Sequence, residues 1–251
     1  MRSVTRLRAV IRPLARRLPG LTVSAETAFH YEGYLRLNQR RLEHLASLRL
    51  PIGGKTVLEV GAGVGDHTSF FIDRSCIVTA TDGRASNIAI LQKRYPTVRS
   101  FTLDLDHPPA ELKEEFDIVY CYGVLYHLEK PAEALGYLAS RCRAMLFVET
   151  AVSFGEEEEL HPLGEPKTDP SQAVSGRGCR PTRSWVFARL LRLFPHVYVP
   201  ATQPAHAEFP TDWTGRPPTD LSRAVFLASR SPLVDGIFLD YLPQSQTRCA
   251  A

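Results

Sequence analysis

Short apolar runs bounded by glycine or aspartate alternate with stretches of helical period through residues 30–150. Leu35, Leu42, Leu45 and Leu48 share one side of a helix predicted over 30–50, which Pro51, Gly53 and Gly54 end. Residues 56–60 form an apolar run short enough for a buried strand, and 77–81, 98–103, 116–121 and 144–149 repeat the pattern. Helical stretches fall between them at 66–72, 84–94 and 133–142. Alternation at this interval predicts an α/β fold, a doubly wound and mostly parallel sheet with helices on both faces. Two later strands, at 196–199 and 224–229, bring the expected sheet to seven strands.

The texture changes after Thr150. Residues 156–159 are four glutamates, and 161–182 are rich in proline, glycine and serine, which predicts a long surface loop of the kind that closes over a site. Thr182 is a candidate cap for a helix reaching Phe194, with Val186, Phe187, Leu190, Leu191 and Phe194 inward. Residues 203–213 are too proline-rich for a sheet interior, and the end after Leu242 reads as a frayed tail. At the other end Val4, Leu7, Ile11, Leu14 and Leu18 recur at helical spacing among arginines. The expected organisation is an N-terminal helical arm and cap over 1–50, a main domain over 51–242 with loops at 151–182 and 200–220, and a tail over 243–251.

Composition narrows the field. With 251 residues and 44% apolar content the chain is not wholly disordered, and it contains no apolar stretch of the ~18 residues that span a bilayer. The formal charge is +3, but residues 1–20 hold six arginines and no acid, so the remainder is mildly acidic. That distribution disfavours a nucleic-acid footprint on the body and leaves the basic arm able to touch an anionic membrane surface or a partner. The cysteines (Cys76, Cys121, Cys142, Cys179 and Cys249) are odd in number, and none are paired as C-x-x-C. No metal site is expected, and free thiols in a reducing cytoplasm are.

The candidate chemistry begins at Glu59, Gly61, Ala62, Gly63 and Gly65, directly after the first strand. Glycines there let the backbone approach a ligand closely, and the next helix aims N–H groups at it. Asp82 ends the second strand, where a carboxylate accepts both hydroxyls of a ribose. A dinucleotide fingerprint requires a third glycine where this chain has Asp66. Glu59 and Asp66 flank the turn and suit a cofactor carrying an ammonium group better than a pyrophosphate, so a nicotinamide dehydrogenase ranks low.

The order of Glu59-x-Gly61-x-Gly63-x-Gly65, Asp82, Asp104 and the run from Phe116 to Leu128 resembles the Rossmann-like class I S-adenosylmethionine-dependent methyltransferases over about residues 55–150. Within them it looks most like the type 11/23 small-molecule enzymes. The block from Gly123 to Leu135, with the run from Leu146 through Glu149 to Thr150, is also similar to the enzyme that carboxymethylates a tRNA wobble uridine using carboxy-S-adenosylmethionine. The resemblance implies that Glu59, Gly61, Ala62 and Gly63 hold the methionine part of S-adenosylmethionine, with Asp82 and Gly83 at the ribose. It puts Asp104 and Leu105 at the adenine, Cys121 and Tyr122 at the sulfonium, and Tyr126 and His127 at the substrate side as candidate catalytic residues. It also implies a reversed last strand over 224–229.

Residues outside that core must bind the acceptor. Arg180, Arg183, Gln203, His206 and Trp213 are polar or aromatic groups on irregular backbone and are the substrate-side candidates. Either arginine suits a carboxylate, a phosphate or a sugar. The expected function is transfer of a methyl group, at oxygen, to a small molecule, glycan or peptide. The alternatives are a tRNA-modifying alkyltransferase and a non-catalytic cofactor-binding partner protein.

Overall fold

The computed structural model describes residues 24–110, 113–215, 219 and 221–250, so the arginine-rich helix expected near the N-terminus lies outside the described residues. Five parallel strands form the centre: β1 (Thr56–Val60), β2 (Ile77–Asp82), β3 (Arg99–Thr102), β4 (Phe116–Tyr122) and β5 (Cys142–Val152). β6 (Leu160–Gly164) and β7 (Arg177–Pro181) pair separately. β8 (His196–Pro200), β10 (Ser222–Ser229) and β11 (Phe238–Leu239) complete the main sheet, in the order β11-β8-β10-β5-β4-β1-β2-β3. β10 runs antiparallel between β5 and β8, as the family resemblance implies, and the short β11 adds an eighth strand that local pattern does not reveal.

Period-two alternation explains how the sheet is covered on both sides. In β4, Val119 and Cys121 face one apolar cluster while Ile118, Tyr120 and Tyr122 face the other. The first cluster is closed by α5 (Pro131–Ser140) and α6 (Arg183–Leu191). The second is closed by α2 (Glu32–Ser47), α3 (Thr68–Ile72) and α4 (Ala85–Arg94), and a short α1 (Ala25–Phe29) precedes them. No helix among the described residues is long and apolar enough to cross a membrane.

Four expectations change. Leu35 is 46% exposed, because the inward face of α2 carries Leu37, Asn38, Arg41, His44 and Leu45 instead. Thr182 does cap α6, accepting from the Trp185 N–H at 3.1 Å, but Leu191 points to solvent at 51% exposure. The loop expected over 151–182 is largely a β6–β7 hairpin, since five paired residues on each strand satisfy its backbone despite the proline and glycine content. The tail is anchored: β12 (Thr247–Arg248) pairs with β9 (Thr202–Gln203), and buried Gln246 bonds to Gln203 and to the Pro200 carbonyl.

Candidate active site

The chain leaves β1 for β2 and β3 on one side, then returns to β4 on the other. The carboxyl ends of β1 and β4 therefore part at a topological switch point, where open α/β sheets bind their ligands. A cavity of about 270 Å³ opens there, reaching from Gly61 and Asp82 to Tyr126 and His127.

The turn after β1 needs its glycines. Gly61 has φ 62°, and a Cβ there would lie 2.1 Å from Val124 Cγ2. Gly63 has φ 57°, and a Cβ would lie 2.8 Å from the Phe29 ring, which seals this end from α1. Asp82 accepts from Gly63 N at 2.9 Å, Arg84 N at 2.8 Å and Asn87 Nδ2 at 3.0 Å. Burial raises its pKa against those bonds. Gly83 lines the same wall.

Glu59 is buried and accepts from the Thr68 hydroxyl at 2.7 Å. Burial pushes its carboxyl up to about 8, with the Thr68 bond opposing. It lines a small recess with Gly61, Ala62, Asp66 and His67. Asp66 Oδ2 and His67 Nε2 are buried without a hydrogen-bond partner. An acceptor-rich recess of this kind suits an ammonium group. At the far end Asp104 and Leu105 line the cavity. Asp104 also closes a turn on Asp106 N at 3.0 Å, and Asp106 accepts from the N–H groups of Glu129 and Lys130.

On the acceptor side His127 Nδ1 lies 2.5 Å from Glu165 Oε2, on the loop that leaves β6. Burial lowers the His127 pKa, with the Glu165 bond opposing. Burial acts to raise Glu165, but the His127 bond and charge, the Ala173 N–H and Arg180 outweigh it and hold the carboxyl low. An ionised carboxylate only accepts, so Nδ1 carries the hydrogen and Nε2 is the basic nitrogen. Tyr126 packs on His127 with ring centroids 3.9 Å apart and accepts from Arg223 at 3.2 Å. Arg223 also bonds Glu208 at 2.6 Å and Glu149 at 3.1 Å, and Glu149 accepts from Arg41 at 2.6 Å. Two guanidinium groups and two carboxylates thus form a chain, Arg41–Glu149–Arg223–Glu208, that runs from the core to the cavity wall.

Tyr122 and Arg180 line the cavity as expected, but Cys121 does not. It alternates with Tyr120 and Tyr122 and so points into the opposite cluster, where burial pushes its thiol up to about 12. Arg183, Gln203, His206 and Trp213 also lie off the cavity wall. Arg183 donates twice to the Pro243 carbonyl and stacks 4.0 Å over Trp213. Trp213 and Gln203 both donate to Gln246, and His206 accepts from the Glu208 N–H. Proline-rich backbone lacks ladder partners here, so these side chains hold the C-terminal segment in place. The site residues not singled out from local pattern are Arg41, Glu149, Glu165, Glu208 and Arg223; of these Glu149 alone lies in a run that carries a family resemblance, Leu146 to Thr150.

Residues 58–144 match a family model described as a methyltransferase domain. Over those residues the chain resembles a methyltransferase domain. An uncharacterised protein of Synechococcus sp. (strain ATCC 27144 / PCC 6301 / SAUG 1402/1) is 35% identical over 99 residues, which is 36% of this chain and 23% of that protein. This chain thus matches about a quarter of that relative's length. Among solved structures, the N-terminal domain of EvdMO1 with S-adenosylhomocysteine has a TM-score of 0.60 at 17% identity, covering 91% of this chain and 96% of that one. Magnesium protoporphyrin IX methyltransferase from Synechocystis PCC 6803 with bound S-adenosylmethionine gives 0.52 at 15% identity, covering 89% and 97%. An S-adenosylmethionine-dependent methyltransferase from Mesorhizobium loti gives 0.54 at 18%, covering 75% and 98%. At these identities the likeness is one of fold. The matched stretch holds the glycine turn, Asp82, Asp104 and His127, whereas Arg41, Glu165, Arg180, Glu208 and Arg223 fall outside it.

Proposed function

We propose that the methyltransferase domain acts on a hydroxyl oxygen of a small molecule, glycan or peptide, with His127 as general base. The carrying observation is the His127–Glu165 pair in the wall of the cavity that Asp82 and Gly61 also line. Glu59, Gly61, Ala62 and Gly63 would hold the methionine part of the cofactor, Asp82 the ribose, and Asp104 with Leu105 the adenine. The acceptor-rich recess and the cradle at Gly61 that a Cβ would fill both fit such a guest.

The bound cofactor supplies an electrophilic methyl on a positively charged sulfur. The cavity walls align an acceptor oxygen with that carbon, an effect worth several kcal/mol. His127 Nε2 would take the acceptor's proton as its oxygen gains the methyl group and the sulfur keeps the bonding pair, so that the imidazole becomes an imidazolium. Glu165 steadies that imidazolium and passes the excess charge no further, as an orienting carboxylate does. A hydroxyl acceptor needs such a base, whereas a carboxylate or thiolate does not. Five unpaired cysteines fit a reducing, cytoplasmic setting.

The test is S-adenosylhomocysteine formation with a panel of hydroxylated acceptors. His127→Asn should lower kcat by about 10²–10⁴-fold while leaving S-adenosylhomocysteine affinity unchanged. An unchanged kcat would remove His127 from the chemistry.

A further inference from the structure

Among the described residues three arginines line the cavity; Arg223 bonds through every guanidinium nitrogen, and Arg84, whose buried Nε has no hydrogen-bond partner, is tied to the roof. Arg84 donates from one nitrogen to the carbonyls of Lys167, Gln172 and Ala173, all on the segment that roofs the cavity. Arg223 is closed by Glu149, Glu208 and Tyr126. Arg180 differs. The single hydrogen bond of its side chain among the described residues runs from NH1 to the Cys179 carbonyl at 2.8 Å. Glu165 Oε1, buried with no hydrogen-bond partner, lies 3.7 Å from the same NH1 as an ion pair beyond hydrogen-bond reach, while Oε2 is held by His127 and the Ala173 N–H. The Arg180 side chain is 24% exposed on the cavity wall, and its guanidinium sits 5.0 Å over the Tyr126 ring. A planar fork of donors is thus held on an aromatic face with most of its N–H groups unassigned.

We infer that Arg180 anchors a carboxylate of the acceptor, so that the substrate is a hydroxylated organic acid. The inference rests on His127 being the base for that acceptor's hydroxyl. Arg180 and His127 both pack against Tyr126 and share Glu165, so a carboxylate on the fork places a hydroxyl a few bonds away beside His127. Charge balance favours a monoanion. Arg180 and Glu165 offset each other, so an acceptor carboxylate leaves one negative charge, which the His127 imidazolium formed on proton transfer cancels. A phosphate dianion would bring one further negative charge into a wall that already holds the acids Asp104, Asp106 and Glu208. Phe29, Tyr31 and Tyr34 supply flat apolar surface for the acceptor's ring or chain.

The experiment uses the full chain saturated with S-adenosylhomocysteine and measures binding of 3-hydroxybenzoate, 3-hydroxybenzamide and phenyl phosphate by ligand-observed NMR. The acid should bind about tenfold tighter than its amide and tighter than the phosphate ester. Arg180→Gln should erase the preference for acid over amide, and Arg180→Lys should restore part of it, with S-adenosylhomocysteine affinity within about twofold of wild type in both. Equal binding of acid and amide, no binding of the acid at millimolar concentration, or a preference that survives in Arg180→Gln would overturn the assignment. Tighter binding of phenyl phosphate would also overturn it, by making this a phosphate site. Failure of wild type to bind S-adenosylhomocysteine would instead strike the underlying reading of the cavity.

Discussion

Asp82 and Pro170 are joined through one amide: Asn87 Nδ2 donates to the Asp82 carboxylate at 3.0 Å and to the Pro170 carbonyl at 3.1 Å. The carboxylate assigned to the ribose and the segment over the cavity are therefore held by the same side chain. With Arg84 gripping three carbonyls of that segment, the roof is tied to the two turns that shape the cofactor end. Asn87→Ala should weaken S-adenosylhomocysteine binding by about tenfold, the worth of one buried hydrogen bond of ~1–1.5 kcal/mol. Amide exchange over residues 165–174 should rise in the same variant. Unchanged exchange there would show that the roof does not depend on Asn87.

Glu59 makes a prediction about protons. Burial lifts its carboxyl from the ordinary 4.5 to about 8, so the free protein holds it protonated at neutral pH. A cofactor ammonium against it favours the carboxylate, so binding at about pH 7 should release close to one proton, read as a buffer-dependent enthalpy in calorimetry. Glu59→Gln should abolish the release. The same shift sets a stability trend. Protonation favours the fold, so this contribution is complete below about 4.5 and is lost as pH rises through about 8. The Gln variant should therefore melt above wild type at about pH 9 and alongside it at about pH 5.

The base pair predicts a shift in a pH profile. His127 sits below its ordinary pKa through burial, and Glu165 opposes that shift. The acid limb of kcat/KM should therefore fall below the usual histidine range. Glu165→Gln removes the opposing charge, so the limb should move to still lower pH while kcat drops. A limb that stays put in Glu165→Gln would leave the carboxylate with a merely structural role.

The buried network predicts a stability cost. Arg41→Met leaves Glu149 in the core with Arg223 as its remaining cation, and should cost ~3–5 kcal/mol in denaturant unfolding. Arg41→Met combined with Glu149→Leu should recover much of that loss, because no half-paired carboxylate is left in the core. A single variant as stable as wild type would mean that water reaches Glu149.

The sequence made the sheet legible where burial was symmetrical. Residues 56–60 and 116–121 read as strands because both of their faces are apolar, and the glycine turn and Asp82 followed from strand ends. What it concealed was polar burial. Arg41, Asn38 and His44 occupy the inward face of α2, where leucine spacing alone pointed to Leu35. Glu149 and Arg223 are paired across β5 and β10, which are far apart in the chain. Glu165 gave no signal either, since a lone acid in a proline-rich stretch reads as solvated until a hairpin brings it to His127. The loop candidates lie off the cavity wall for a related reason: Arg183, Gln203 and Trp213 bond to the backbone and side chains of the C-terminal segment.

The most direct test of the whole account is calorimetric titration of the full chain with S-adenosylmethionine and S-adenosylhomocysteine, in wild type and in Asp82→Ala. The account predicts micromolar binding of both by wild type and its loss, by ~100-fold or more, in the variant, which forfeits charge-assisted bonds to the ribose. Equal affinity in the two proteins, or no binding by wild type, would contradict it.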